Sequence, residues 1–279
     1  MQISVLIDNT TLIDRYFLVE PALCFLLKDR DTQILFDTGY SDAFLQNAAK
    51  MDIDILQTDV IVLSHGHIDH VGGLNPLLTL YLEANIEGIA HREPTLIAHP
   101  AVFQSRIIAG IGDIGSPISR DKAAQHFQLG LHKKPYWITD RLVFLGEIPR
   151  RNDFENQAPI AKIPVGDHFE EDHIPDDSAL VYSAADGLVI IAGCAHAGIC
   201  NTIEYARELC GKQRVQAVIG GFHLMNPARK QLDGTLEYLA KLKVPEIYAC
   251  HCIDMASRIA LSSLGNLQET GVGLRIIFD

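Results

Sequence analysis

The chain has 279 residues, of which 48% are hydrophobic, and its formal net charge is −12 at pH 7. This composition supports a sizeable core in one large α/β domain or two smaller ones, and the negative charge argues against a nucleic-acid or anionic-membrane surface. The six cysteines are too few for a disulfide scaffold, nothing at the N-terminus resembles a signal peptide, and no apolar run is long enough to span a bilayer. We therefore expect a globular, reduced, cytoplasmic protein.

The first part of the chain alternates strand-like and helix-like segments. Met1 to Ile7 alternates polar and apolar residues as an opening strand does, and residues 22–27 and 32–36 predict a hairpin around a charged turn. Residues 42–51 have helical character. This alternation favours the α/β class.

Four side chains that can bind metal follow a short apolar run. Val60 to Leu63 predicts a fully buried strand, after which the chain continues as Ser-His-Gly-His-Ile-Asp-His. Polar groups at the end of a buried strand would be costly to desolvate unless they bind something. We therefore interpret four residues as metal ligands: His65, His67, Asp69 and His70.

The spacing of these four side chains indicates two metal positions. His65 and His67 are two residues apart, so an extended chain points both rings the same way. Asp69 and His70 lie around the following bend and must face elsewhere. The first position would take the first two histidines and the second would take Asp69 and His70. A pair of metal ions roughly 3.5 Å apart is a known hydrolytic device.

The segment after these ligands predicts a helix, a strand and an irregular stretch. The helix covers residues 74–82, and Asn75-Pro76 lie in its first turn, where proline is tolerated. The strand ends at His99, which we interpret as a cap of the next segment, with a place in a pocket as the alternative. Residues 107–117 are apolar and punctuated by glycine, which predicts a mobile loop or a loosely held helix.

Two adjacent arginines, Arg150 and Arg151, follow the strand-like segment 137–145 of this acidic chain. A guanidinium fork fits phosphate or carboxylate, so the pair is a candidate for holding an anionic substrate group. The alternative is a solvated turn in which they pair with Glu147 or Glu155.

Three more predicted strands end in a histidine. A hairpin through the turn dipeptide Asp186-Gly187 leads to His196, and two later strands run to His223 and His251. A histidine at one strand end is common, but at four it is not. We therefore assign His196 to the first metal and His251 to the second.

Two details near these histidines have competing interpretations. Cys250 and Cys252 flank His251 and suggest zinc, but in an extended chain they face away from the imidazole, so both are interpreted as packing residues. A helix is predicted from Asn201, with Glu204 three residues on as in a capping box.

No linker, fixed-period repeat or low-complexity segment divides the chain, which predicts a single domain over residues 1–279.

The order of these motifs resembles the metallo-β-lactamase superfamily from end to end. The residues that carry the resemblance are Asp37 in Asp-Thr-Gly, the signature over residues 65–70, His196 and His251. The resemblance implies an αββα sandwich with the dinuclear site at one edge of its sheets, and an insert around 101–135 that covers the site. It also places Asp37 beneath the metals, where a carboxylate holds a ligand imidazole. An aspartate that only caps a turn is the alternative.

Further motifs are similar to the branch named after dihydropterin-ribofuranosylaminobenzene phosphate synthase. These motifs are Gly146-Glu-Ile-Pro-Arg150, Asp176-Asp-Ser-Ala-Leu180, Gly193-Cys-Ala-His-Ala-Gly198, Gly220-Gly-Phe-His-Leu224 and His251-Cys252. One scaffold hosts many reactions, so the branch name is a poor guide to the substrate.

One position departs from many dinuclear members of the superfamily. Those members bridge the metals with an aspartate between the third and last histidines, where this chain has His223. With Asp69 and a hydroxide as the only anions, two divalent ions would leave the site at about +2, which favours an anionic substrate. We interpret His223 either as a ligand of the second metal or as a proton donor, and both roles stay open.

These residues together predict a dinuclear metallo-hydrolase. It would use two divalent ions, zinc first and manganese or iron as alternatives, and a metal-bound hydroxide would attack an ester bond, with Asp69 and His223 in catalytic roles. A phosphodiester is favoured over a lactone or thioester. The branch name implies a phosphoribosyl-transferring synthase, and a di-iron redox or oxygen-handling protein is the alternative from another class. The expected partner is an anionic small molecule, and homo-oligomer formation is left open.

Overall fold

The computed structural model describes residues 1–155 and 158–279. The chain divides into two compact units. Unit 1 comprises Met1–His132, Ile160–Asp172 and Gly271–Ile277, and unit 2 comprises Lys133–Pro159, His173–Thr270 and Phe278–Asp279. The single domain with an insert around 101–135 stays a prediction.

The strands and helices of the described residues alternate along much of the chain. The strands are β1 (Gln2–Ile7), β2 (Cys24–Asp29), β3 (Thr32–Phe36), β4 (Val60–Val62), β5 (Thr95–Ala98), β6 (Ile107–Ile108), β7 (Gly112–Asp113), β8 (Gln128–Leu131), β9 (Tyr136–Trp137), β10 (Leu142–Phe144), β11 (Ala161–Val165), β12 (His168–Asp172), β13 (Ala179–Ala184), β14 (Gly187–Ala192), β15 (Val215–Gly221), β16 (Glu246–Cys250) and β17 (Arg275–Ile277). The α-helices are α1 (Ala43–Lys50), α2 (Ile68–Val71), α3 (Leu74–Glu87), α4 (Arg120–Ala124), α5 (Ile199–Cys210), α6 (Arg229–Leu242) and α7 (Met255–Ser262). Short 3₁₀ helices cover Ile55–Gln57 and Pro100–Phe103.

No helix within residues 1–155 and 158–279 is both long enough and apolar enough to cross a membrane.

Unit 1 is built on a seven-stranded sheet with the strand order β17-β1-β2-β3-β4-β5-β8. The predicted hairpin of β2 and β3 is present, and β3, β4, β5 and β8 run parallel. Phe44 of α1 and Leu77 of α3 belong to one buried core with Leu35, Ile61 and Leu96 of the strands. Because the carboxyl ends of parallel strands meet at one edge of a sheet, the segments that follow β3 and β4 lie side by side.

A second sheet in unit 1 corrects the sequence prediction for residues 107–117. These residues contain β6 and β7, which belong to a four-stranded sheet of order β12-β11-β6-β7 instead of a loose helix. Next to β6, the fully buried Arg106 donates from Nε to Asp172 Oδ2 of β12 at 2.8 Å. This ion pair joins two segments that are 66 residues apart in the chain, so no local pattern could indicate it.

Unit 2 contains a six-stranded sheet with the strand order β16-β15-β14-β13-β10-β9. The predicted hairpin of β13 and β14 is present, and β14, β15 and β16 run parallel with α5 and α6 as their connections. The core of this unit includes Ile190, Val218, Ile203, Leu239 and Ile247, all buried. The carboxyl ends of its three parallel strands therefore share one edge.

Three predicted elements have different boundaries in the structure. The helix predicted over 74–82 continues to Glu87 and ends at Gly88, whose φ of 69° suits glycine. The strand-like segment 137–145 is divided between β9 and β10. The predicted capping box at Asn201 is wrong, because α5 begins at Ile199 and the distant Glu155 carboxylate accepts from the backbone N–H of Cys200 (2.8 Å) and of Asn201 (2.9 Å).

Candidate metal centre

The signature after β4 places two imidazoles of unit 1 together. His65 and His67 are buried, and His65 Nε2 lies 3.0 Å from His67 Nδ1. His65 Nδ1 lies 3.0 Å from Ser64 Oγ, which leaves Nε2 as the nitrogen that faces His67. Glycine is required between the two histidines, because a Cβ at Gly66 would lie 2.1 Å from the Val102 carbonyl oxygen.

The one-turn helix α2 carries the second pair of donors. His70 Nε2 lies 3.7 Å from Asp69 Oδ2, and the His70 side chain is fully buried while that of Asp69 is 31% exposed. His70 Nδ1 lies 2.7 Å from Asp37 Oδ2. Because a carboxylate only accepts, Nδ1 of His70 carries the proton in this pair and Nε2 presents a lone pair on the side of Asp69.

Asp37, which follows β3, is a buried carboxylate that supports the signature loop. Its Oδ1 accepts from the backbone N–H of Ser64 and its Oδ2 accepts from Ser64 Oγ, both at 2.7 Å. Asp37 has φ 57°, a backbone conformation that a non-glycine residue seldom adopts. The carboxylate thus contacts both the loop that carries His65 and the ring of His70.

These two donor pairs have separations close to those that a metal ion requires. Two ligand atoms at about 2.1 Å from a tetrahedral ion are about 3.4 Å apart. The 3.0 Å between the His65 and His67 nitrogens and the 3.7 Å between His70 and Asp69 each lie near that value. Imidazole and carboxylate are also donors that zinc accepts. The residues of unit 1 therefore fit divalent metal ions.

The histidines of unit 2 lie after the three parallel strands. His196 follows β14, His223 follows β15 and His251 follows β16. The rings of His196 and His223 have centroids 4.3 Å apart. His196 and His251 are buried, whereas His223 is half-buried. The common carboxyl edge of β14, β15 and β16 thus gathers the three predicted imidazoles of this unit.

The sequence of residues 18–251 matches the protein-family model of the metallo-beta-lactamase superfamily. The chain belongs to the metallo-beta-lactamase superfamily. The solved structure of Tm1679, described as a metal-dependent hydrolase of the beta-lactamase superfamily, covers 100% of both chains with a TM-score of 0.83 and 25% identity. The predicted α/β class and metallo-β-lactamase fold are therefore confirmed.

Two curated relatives come from Methanocaldococcus jannaschii. The chain is 30% identical over 230 residues to 7,8-dihydropterin-6-methyl-4-(beta-D-ribofuranosyl)-aminobenzene-5'-phosphate synthase, an alignment that covers 79% of this chain and 75% of the relative. It is also 30% identical over 271 residues to the uncharacterized protein MJ0448, covering 97% of this chain and 98% of the relative. The resemblance to the synthase branch is therefore confirmed, and relatives in the superfamily include a metal-dependent hydrolase and an enzyme named as a synthase.

The strand ends of this superfamily member have an unusual backbone conformation. Ala195, His223 and His251 have φ of 51°, 50° and 57°, the left-handed region that non-glycine residues seldom occupy. Such residues are concentrated at functional sites, where the surrounding structure holds them. The assumption of an extended chain at His251 was therefore wrong, and with it the argument that Cys252 must face away from the His251 imidazole.

Two cysteines and a histidine of unit 2 form a group that the sequence interpretation missed, which we call the thiol cluster: Cys194, His223 and Cys252. The two sulfurs are 2.8 Å apart, and Cys194 Sγ is 3.6 Å from His223 Nδ1. Burial raises the pKa of the Cys252 thiol, but the contacts with Cys194 and His223 and the nearby His251 lower it more, so this pKa lies well below its ordinary value. The available signal was the position of Cys194, two residues before His196, and of Cys252, next to His251.

Asp177 is a second functional candidate that had no assigned role. Its Oδ2 accepts from the backbone N–H of Ala197 at 2.8 Å, so this carboxylate holds the loop that carries His196. Burial raises the pKa of Asp177 to about 7, despite the hydrogen bonds from Ala197 and His196. The signal was its place in the motif Asp176-Asp-Ser-Ala-Leu180.

The remaining predicted residues lie outside these groups of donors. Arg150 donates from Nη2 to the backbone carbonyls of His173 and Ile174. Arg151 pairs with Glu208, neither with Glu147 nor with Glu155 as the alternative interpretation had it. His99 caps the 3₁₀ helix Pro100–Phe103, since its Nδ1 accepts from the backbone N–H of Ala101 at 3.1 Å.

Proposed function

We propose that the chain is a metal-dependent hydrolase that binds two divalent ions, zinc first. The first ion would be held by His65, His67 and His196, and the second by Asp69, His70 and His251. The observation that carries this proposal is the arrangement in unit 1, where two donor pairs lie at ligand separations and Asp37 orients one of the imidazoles. The order of the same motifs in the superfamily supports the pairing with His196 and His251.

Ions bound by these side chains would supply the Lewis acid that activates water and stabilises developing negative charge. The chain's own residues perform the other tasks. Asp37 fixes the Nδ1-protonated tautomer of His70, and the left-handed backbone at His223 directs a half-buried imidazole to the edge where His196 lies. His223 is thus a candidate to give a proton to the leaving group, or to bind the second ion.

An anionic ester is the substrate class that this arrangement supports, with a phosphodiester ahead of a lactone or thioester. Asp69 is the single carboxylate among the six proposed ligands, so two divalent ions would leave a positive centre that attracts an anion. Arg150 and Arg151 are the proposed anchors for the anionic group. Arg150 already directs one end of its guanidinium at backbone carbonyls, so Arg151, 51% exposed, is the more accessible of the two.

The test is turnover of chromogenic phosphodiesters, lactones and thioesters by protein loaded with zinc, manganese or iron. We expect phosphodiester hydrolysis that a chelator abolishes and added metal restores. A metal-loaded protein that hydrolyses none of the three classes would contradict the proposal. Bound iron together with visible absorption and oxygen consumption would indicate the redox alternative.

A synthase reaction is the second candidate, favoured by the 30% identity to the M. jannaschii synthase. The name of that enzyme describes a product that joins a ribofuranosyl phosphate to an aminobenzene. Incubation of the loaded protein with a phosphoribosyl donor, with and without an aromatic acceptor, separates the two functions. A synthase forms an acceptor-dependent product, whereas a hydrolase consumes its ester without any acceptor.

A further inference from the structure

The thiol cluster joins two segments of unit 2 that are distant in sequence. Cys194 follows β14 and Cys252 follows β16, and the two residues are 58 positions apart. Both are buried, and their sulfur atoms lie 2.8 Å from each other. Glycine is needed beside them, since a Cβ at Gly221 would lie 2.5 Å from Cys252 Sγ. The fold therefore makes room for two sulfurs at this place.

The donors of the cluster converge. The sulfurs of Cys194 and Cys252 and a ring nitrogen of His223 all lie within 4.8 Å of one another. The backbone N–H of His223 also donates to Cys252 Sγ at 3.2 Å. The thiol of Cys252 also donates to the backbone carbonyl of Cys194 at 3.3 Å, as the buried Cys24 thiol donates to that of Asp37 at 3.2 Å, but among the described residues Cys24 has no second sulfur or imidazole in such a group. Two sulfurs and an imidazole that meet in this way differ from thiols that only fill a core.

One distance in the cluster equals the separation expected between two ligands of a shared metal ion, and the other is shorter. A sulfur at about 2.3 Å and a nitrogen at about 2.1 Å from a tetrahedral ion are about 3.6 Å apart, and two such sulfurs are about 3.8 Å apart. The distance from Cys194 Sγ to His223 Nδ1 is 3.6 Å. The sulfurs, 2.8 Å apart, would have to separate by about 1 Å, a change that side-chain rotation can supply.

We propose that Cys194, Cys252 and His223 bind a soft or borderline metal ion through two thiolates and one imidazole. This inference deepens the proposed function and rests on it, because it names ligands for a metal centre that the chain is proposed to have. Thiolate ligands favour zinc, iron or copper(I) over manganese and magnesium.

The test is replacement of the bound metal by cobalt(II) in the whole chain under reducing conditions. Thiolate ligation gives a sulfur-to-cobalt charge-transfer band in the near ultraviolet, which imidazole and carboxylate ligands do not produce. We expect the band in the unaltered protein, a weaker band in Cys194→Ser and in Cys252→Ser, and none in the double variant. We also expect zinc affinity in the double variant to fall by at least about 100-fold, more than the loss of an outer hydrogen-bond partner causes.

The matched control is Cys200→Ser, which alters a buried cysteine of α5 in the same unit. It should keep both the band and the zinc affinity. If the double variant fails to fold, X-ray absorption at the zinc edge of the unaltered protein gives the answer, since zinc–sulfur distances of about 2.3 Å are distinct from shorter zinc–nitrogen distances.

The outcomes separate this inference from the proposed function. Cobalt or zinc bound without any sulfur ligand overturns the inference and leaves the hydrolase proposal intact. No metal bound at all overturns both. Loss of two thiols in the denatured protein, recovered by reductant, would show a disulfide between Cys194 and Cys252 and would also overturn the inference.

Discussion

His70 Nδ1 lies 2.7 Å from Asp37 Oδ2, and both side chains are fully buried. The same carboxylate accepts two hydrogen bonds from Ser64. A carboxylate behind a ligand imidazole fixes the tautomer and the ring orientation, and it raises the basicity of the nitrogen that binds metal. Through this hydrogen bond, Asp37 at the end of the β2–β3 hairpin affects how strongly His70 binds a metal ion.

Replacing Asp37 with asparagine should lower zinc affinity by about 10-fold to 100-fold, because the amide cannot hold the Nδ1-protonated imidazole as firmly. Competition with a chromogenic chelator measures this change, and circular dichroism checks that the fold persists. Asp31→Asn, at an exposed position of the same hairpin, should bind zinc as the unaltered protein does. Equal zinc affinity and equal turnover in Asp37→Asn would show that this aspartate only forms a turn.

Replacing His223 with alanine should reveal which role this imidazole has. If it is a proton donor, the rate should fall by about 100-fold to 10,000-fold, and the loss should shrink for phosphodiesters with good leaving groups. If it is a ligand, the loss should follow the occupancy of one metal and be independent of the leaving group. His168→Ala, at an exposed position in unit 1, is the control. Full activity of His223→Ala on every substrate would exclude both roles.

The buried pair of Arg106 and Asp172 should contribute strongly to stability. Asp172→Asn removes the buried carboxylate that pairs with the Arg106 guanidinium, so we expect the free energy of unfolding to fall by about 3–5 kcal/mol. Urea denaturation of the metal-free protein measures it. Asp153→Asn breaks the exposed pair of Asp153 and Lys230 and should leave the unfolding midpoint unchanged. Equal unfolding midpoints for Asp172→Asn and Asp153→Asn would contradict the expectation that the buried pair contributes more to stability than the exposed pair.

Asp177 should make the stability of the metal-free protein depend on pH. Its pKa is raised by burial from 3.8 to about 7, so between these values the folded chain retains a proton that the unfolded chain has lost. Stability from this group is therefore present at low pH and is lost as pH rises through about 7. Asp177→Asn should remove that decline in denaturation experiments, whereas Asp186→Asn, at an exposed turn, should keep it. A decline that persists unchanged in Asp177→Asn would contradict this assignment.

Much of the fold was predictable because the signals are local. Buried apolar strands that end in histidine identified the ends of β4, β14, β15 and β16, and the turn dipeptide Asp186-Gly187 identified one hairpin. The parallel strand order then gathers these ends at sheet edges. The ring contact of His196 and His223 follows from that rule, although no pattern gives its distance.

The features that were missed depend on distant partners or on an unusual backbone. Glu155 caps α5 across 45 positions of sequence, so the local sequence pattern at Asn201 does not indicate the cap. The strands β6 and β7 have two residues each, too few for a period to be visible. The thiol cluster was missed because the left-handed backbone at His251 breaks the alternation that an extended chain would have.

The most direct measurement is a crystal structure of the zinc-loaded protein with anomalous data at the zinc edge. The hydrolase proposal predicts one ion within about 2.3 Å of nitrogen atoms of His65, His67 and His196, and another bound by Asp69, His70 and His251. Zinc peaks that leave His196 or His251 more than about 4 Å from any ion would contradict it.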